Sequence, residues 1–130
     1  MDKVMHFELP ADNIERAKKF YKETFNWQME DYPGMDYTIL RTVEVDKKMM
    51  PKESGAINGG MFKRDPAGNP AVAPSFSVTV ENIDEAIKKI KNAGGLVVKD
   101  KMPVGDMGIM AYFRDTEGNV LSVWQSIKKM

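Results

Sequence analysis

The sequence predicts an α+β fold: two β-α-β-β-β modules joined into one curved, mainly antiparallel sheet. Three observations carry this. The segment His6–Glu30 repeats as Ser75–Lys99 at a constant offset of 69, with Phe7 over Phe76, Leu9 over Val78, Asn13 over Asn82, Ile14 over Ile83 and Ala17 over Ala86. Each copy opens with period-2 alternation and then switches to a helical period. Each helical stretch is followed by three further strand-like runs.

The opening strands set the faces. Ser75, Ser77 and Thr79 alternate with Phe76, Val78 and Val80, and His6 and Glu8 alternate with Phe7 and Leu9. One face is therefore polar and the other apolar. The apolar face is expected to meet the helices, with Phe76 and Val78 buried against Ile83, Ile87 or Ile90. The polar face then looks into a concavity on the other side, where ligands usually bind.

Ile14, Ala17, Tyr21 and Phe25 lie on one helix face, as do Ile83, Ala86, Ile87 and Ile90. Asp12 with Glu15, and Asn82 with Glu85, match a helix start signal. Asn26 and Gly95 stand at the stops, where the left-handed conformation is needed. Further strands are expected over Trp27–Asp31, Tyr37–Val43, Ala56–Lys63, Leu96–Lys99, Gly108–Arg114 and Val120–Ser126. The run Glu44–Gly55 reads as an exposed loop. Lys101–Gly108 reads as a surface loop or, with its two glycines and two methionines, a mobile lid. Asp115–Asn119 (DTEGN) reads as a tight turn with Gly118-Asn119 supplying positive φ.

These boundaries give a single domain, 1–130, with module one at 1–63, a Pro- and Gly-rich linker at 64–74 and module two at 75–130. One module of about 60 residues would bury little surface alone, so the two must cover each other.

Composition narrows the function classes. The 19 basic and 19 acidic residues are dispersed, which excludes the clustered basic footprint of a nucleic-acid binder. No apolar run approaches the roughly 20 residues that span a bilayer. No cysteine is present, so disulfides, thiolate metal sites and a cysteine nucleophile are excluded. With no apolar leader, a cytoplasmic location is expected. Most of the eleven methionines are expected to be core or gap-filling residues, with a methionine-lined ligand pocket as the lesser alternative.

The stretches HFELPADNIERAKKFYKETFNW, INGG and FRDTEGNVLSVW, in their paired-module frame, resemble the vicinal oxygen chelate superfamily. That superfamily contains glyoxalase I, extradiol dioxygenases and bleomycin-binding proteins. The resemblance covers nearly the whole chain and is strongest to proteins related to lactoylglutathione lyase. It implies a small-molecule ligand and, by analogy, a homodimer. It also implies a divalent ion held by His or Glu from the first and last strands of each module. His6 matches the first-module position. Ser75 stands at the second-module position, Ser122 replaces the last-strand Glu, and the first-module last strand offers only Asn58, Gly59 or Gly60. Such a donor set is poor for Zn²⁺, Ni²⁺ or Fe²⁺. The expectation is no metal and no cofactor, and not an authentic glyoxalase I.

Two functional readings follow. In the first, His6 and Glu8 carry metal-free acid/base chemistry on a small oxygenated substrate. In the second, the chain sequesters a hydrophobic or aromatic compound without turnover. Ser75, Ser77, Tyr112, Ser122 and Trp124 are the candidate ligand-binding residues. The plainer alternatives are that His6 is a strand residue bonded to a neighbour, that Glu8 is held by Arg114 or another base, and that Tyr112 and Trp124 pack in the core. Arg41 and Arg114 could bind an anion or simply form surface salt bridges.

Overall fold

The computed structural model describes residues 1–127. Ten elements follow in order: β1 (Lys3–Ala11), α1 (Ile14–Phe25), β2 (Gln28–Asp31), β3 (Tyr37–Arg41), β4 (Asn58–Lys63), β5 (Ser75–Thr79), α2 (Ile83–Asn92), β6 (Leu96–Val104), β7 (Gly108–Arg114) and β8 (Val120–Ser126). The strands form one eight-stranded sheet in the order β2-β3-β4-β1-β5-β8-β7-β6. β1 pairs in parallel with β4, and β5 with β8; every other pairing is antiparallel.

The repeat is written into the register. At the centre of the sheet Phe7 faces Phe76, His6 faces Ser77 and Glu8 faces Ser75. A local two-fold through the Phe7–Phe76 pair therefore relates His6 to Ser75 and Glu8 to Ser77. A bulge between Val4 and His6 admits Met5 as an extra residue, so Met5 and His6 both reach the same side of the sheet.

The helices are capped by side chains. Asn82 accepts from the Glu85 amide at 3.0 Å, as expected, whereas the first cap is Asn13, accepting from Arg16 at 2.9 Å, rather than Asp12. Asp12 instead pairs with Arg64 at 2.6 Å. Asn26 ends α1 at φ 61, and Gly94, one residue before the expected Gly95, takes the left-handed turn after α2 at φ 99. In the DTEGN turn Gly118 alone has positive φ, while the Asp115 carboxylate accepts from the amides of Glu117 and Asn119.

α2 covers β6, β7 and β8, and α1 covers β2 and β4. Their cores are separate. Ile83 packs with Val80, Ala111 and Val123, joined by Val78, Ile87 and Ile90. Leu40, Met61 and Ala11 pack with Ile14, Ala17, Phe7 and Trp27. Phe76 departs from expectation. It lies in the seam between the helices, opposite Phe7, and stays 40% exposed. Val78 joins the core as expected. Alternation assigned Phe76 to the correct face, but that face is uncovered at its middle.

Two segments expected to be loops are not plain loops. β6 runs to Val104 through two irregularities, so Lys101–Gly108 is mostly strand closed by a short turn, not a lid. Residues 44–55 are largely exposed, yet Val45, Met49 and Met50 face the cavity. Among the described residues, no helix is long and apolar enough to cross a membrane.

The sheet is open, since its edge strands β2 and β6 do not pair. Eight flat strands would separate those edges by roughly 34 Å at about 4.8 Å per strand. Instead the Tyr32 hydroxyl, just after β2, donates to Met107 Sδ, in the β6–β7 turn, at 2.7 Å. The sheet therefore bends until its two margins touch across the face opposite the helices.

Candidate functional site

The bend encloses a cavity of about 670 Å³ lined by both modules. Residues of alternating parity line it, as pleating requires: Tyr37, Ile39 and Arg41 of β3; Asn58 and Phe62 of β4; Met110 and Tyr112 of β7; Trp124 and Ser126 of β8. His6, Glu8, Ser77, Tyr112 and Trp124, singled out from sequence, all line it.

Glu8 is the centre of the floor, 6% exposed. Its two carboxylate oxygens are held separately. Tyr112 donates to Oε1 at 2.9 Å, and Tyr37 donates to Oε2 at 3.1 Å. Among the described residues no basic side chain pairs with it; in place of the alternative contact to Arg114 or another base, two phenols from opposite halves of the chain hold it. Burial raises the Glu8 pKa, and the two tyrosine bonds work against that rise. Burial and the neighbouring Glu8 charge push both tyrosines above their ordinary value, so they remain hydroxyl donors.

The chain of bonds continues at both ends. His6 Nε2 lies 2.6 Å from the Tyr37 hydroxyl. Burial lowers the His6 pKa to about 4, so the imidazole is neutral at neutral pH. At the other end Asn69 Nδ2 donates to the Tyr112 hydroxyl oxygen at 3.1 Å. This fixes proton direction. Tyr112 accepts from Asn69, so its single proton goes to Glu8. Tyr37 has one proton and two partners. When it donates to Glu8, His6 must donate Nε2–H to Tyr37. When Glu8 is protonated, the order can reverse.

Two glycines make room. A Cβ on Gly60, directly across from Glu8, would overlap the Tyr37 hydroxyl, and one on Gly59 would overlap Phe7. Only a residue without a side chain lets Tyr37 reach across β4 to Glu8.

Ser77 and Ser122 share a 2.5 Å hydrogen bond, and both are buried. Ser122 is sealed beneath the cavity wall and does not line it. Ser75 donates its hydroxyl to the Val120 carbonyl at 2.7 Å and also lies off the wall. The register places the residues that the resemblance marked as ligand positions. Ser122 is level with Ser77, not with Ser75, and the residue opposite Glu8 on β4 is Gly60, while His6 faces Asn58. Among the described residues, no three His, Asp or Glu side chains converge as metal ligands.

Sequence reasoning missed Tyr37 and Asn69, and offered a methionine-lined pocket only as the lesser alternative to core filling. Tyr37 had a signal: it shares strand parity with Ile39 and Arg41, on the cavity side. Asn69 had none, since it lies in the segment 64–74, which also sends Ala71 (2% exposed) into the core. Seven of the eleven methionines line the cavity, against the expectation of core filling.

The family model for the Glyoxalase/Bleomycin resistance protein/Dioxygenase superfamily matches residues 3–123. The chain belongs to this superfamily. A putative glyoxylase of Mycobacterium bovis is 26% identical over 92% of this chain, which spans only 44% of that relative's length. A hypothetical protein from Bacillus halodurans has the same fold, with a TM-score of 0.66 at 16% identity over 99% of this chain and 97% of that one. So does a methylmalonyl-CoA epimerase of Streptomyces coelicolor in complex with 2-nitronate-propionyl-CoA, with a TM-score of 0.65 at 13% identity over 97% and 98%.

Proposed function

We propose that this chain is a metal-free member of its superfamily in which Glu8 is the acid/base group for a small carbonyl compound bound in the cavity. The observation that carries the reading is a buried carboxyl held by two phenols in the cavity where the resemblance implies an ion. The donors present do not suit a divalent ion. The His6 imidazole is engaged by Tyr37, the Glu8 carboxylate accepts from two hydroxyls, and the remaining positions are Asn58, glycine and serines bonded to each other or to a backbone carbonyl.

The chemistry is proton transfer next to a carbonyl. Glu8 takes a proton from the carbon, and the C–H electron pair becomes the enolate. Once Glu8 is neutral it needs the tyrosine bonds less, and the Tyr37 and Tyr112 hydroxyls can turn to the enolate oxygen. Asn69 keeps the Tyr112 proton available, and neutral His6 lets Tyr37 reload. Burial supports this role, because a carboxyl raised toward neutral pH is a more effective base. The reaction returns the proton to carbon and needs no redox partner.

Deuterium wash-in tests it. Ketones and thiol adducts of 2-oxoaldehydes, incubated with protein in D₂O, should exchange at the carbon next to the carbonyl, and Glu8→Gln should stop the exchange. No exchange with any of them, or full exchange by Glu8→Gln, would contradict the reading. A second reading, sequestration without turnover, is favoured by the methionine walls. Tight binding insensitive to Glu8→Gln would support it. The absence of cysteine fits a cytoplasmic protein, and a homodimer follows by analogy with the superfamily; light scattering tests the latter.

A further inference from the structure

We infer that the cavity is built for an uncharged ring ketone that enolises, or for the phenol that represents its enol, and against carboxylates and phosphates. The inference rests on the cavity being the ligand site and names the class it takes.

The walls define the body of the ligand. Met102, Met107 and Met110 come from the β6–β7 hairpin, and Met35, Met49 and Met50 from the loops of module one. Met5 is turned in by the bulge. Unbranched thioethers adapt to irregular apolar surfaces and favour contact with ring edges. Trp124 and Phe62 add flat apolar faces. About 670 Å³ holds more than one ring.

The floor defines the head. Each oxygen of the Glu8 carboxylate accepts one tyrosine proton and keeps a free lone pair. An O–H group entering there can donate to Glu8 and accept from a turned tyrosine. An anion would face Glu8 with no cation beside it. The positive groups of the lining are held away from Glu8: Arg41 pairs with Glu30 at 3.5 Å, and Lys99, still charged, is tied to the Gly68 carbonyl at 2.6 Å. Asp36 adds a further negative charge.

The interconversion is a tautomerisation. The ring C–H bond breaks toward Glu8, the C=O π pair moves to oxygen, and that oxygen takes a hydroxyl proton from Tyr37 or Tyr112, which the Glu8 proton replaces. Atoms and electrons balance without a co-reactant.

Four probes with one ring body test the class: 1-naphthol, 1-methoxynaphthalene, 2-naphthoate and 1-naphthyl phosphate, titrated at neutral pH by Trp124 fluorescence and calorimetry. Naphthol should bind saturably and about tenfold or more tighter than the other three, a difference on the scale of one hydrogen bond to a charged group. Glu8→Gln should erase its advantage over the methyl ether. Equal or tighter binding of the carboxylate or phosphate would overturn the inference, as would no saturable binding of naphthol. If Glu8→Gln does not fold, the wild-type series alone decides. Naphthol selectivity without deuterium exchange would sink the catalytic reading and leave this one; exchange of open-chain substrates without naphthol binding would do the reverse.

Discussion

Gly60 and Tyr37 occupy one another's space: the hydroxyl of Tyr37 fills the volume where a Gly60 side chain would begin. Gly60→Ala should therefore evict Tyr37 and break its bonds to both Glu8 and His6. Overpacking of this kind costs about 1–3 kcal/mol. Chemical denaturation should show that loss in the wild type and a much smaller one in a Tyr37→Ala background. Equal losses in both would mean that Gly60 matters for another reason.

His6 should make the protein acid-sensitive. Its folded pKa of about 4 lies below the ordinary 6.5, so the folded state binds fewer protons than the unfolded state between these values. The stability tied to neutral His6 is full above pH 6.5 and drains as pH falls toward 4. The slope is at most about 1.4 kcal/mol per pH unit. The raised Glu8 acts oppositely, losing stability as pH rises, so the test is a difference. Wild type minus His6→Asn, measured by denaturation from pH 4 to 8, should show this slope on the acid side. A flat difference would contradict it.

Asn69 should control Glu8 from a distance of two hydrogen bonds. Asn69→Asp would offer Tyr112 an acceptor and draw its proton away from Glu8. The Glu8 pKa, followed by carbon-13 NMR, should rise further above its wild-type value. An unchanged titration would show that Tyr112 does not depend on Asn69 for its orientation.

Burial, not hydrophobicity, should rank the core. Leu40, 0% exposed, should lose about 2–5 kcal/mol on truncation to Ala. Phe76→Ala should lose less despite its larger side chain, because Phe76 sits 40% exposed in the seam. Denaturation of the two variants checks the order.

The last two cases show what sequence could and could not reveal. Period-2 and helical patterns located both helices and each strand except the second half of β6, because alternation reports local pleating and facing. They did not report coverage. Phe76 and Ser77 follow the alternation, yet Ser77 is buried and Phe76 is not, since the helices flank the central strands instead of crossing them. In the site, His6 and Glu8 were visible as titratable residues on a polar strand face. Tyr112 was named as well, but as a ligand contact; the bonds of Tyr112 and Tyr37 to Glu8 were not visible. Tyr37 and Tyr112 lie 29 and 104 residues from Glu8, and only the register brings them together. The methionine walls were legible only as the lesser alternative for the same reason: their composition is local, but the bend of the sheet is not.

The proposed function rests on Glu8 being held by tyrosines and not by an ion. Its most direct test is elemental analysis of the protein after it is offered Zn²⁺, Ni²⁺ and Fe²⁺ in turn and then dialysed. Well under one ion per chain is expected, with no change in melting temperature on adding chelator. One tightly held ion per chain, lost in His6→Ala or Glu8→Gln, would contradict it.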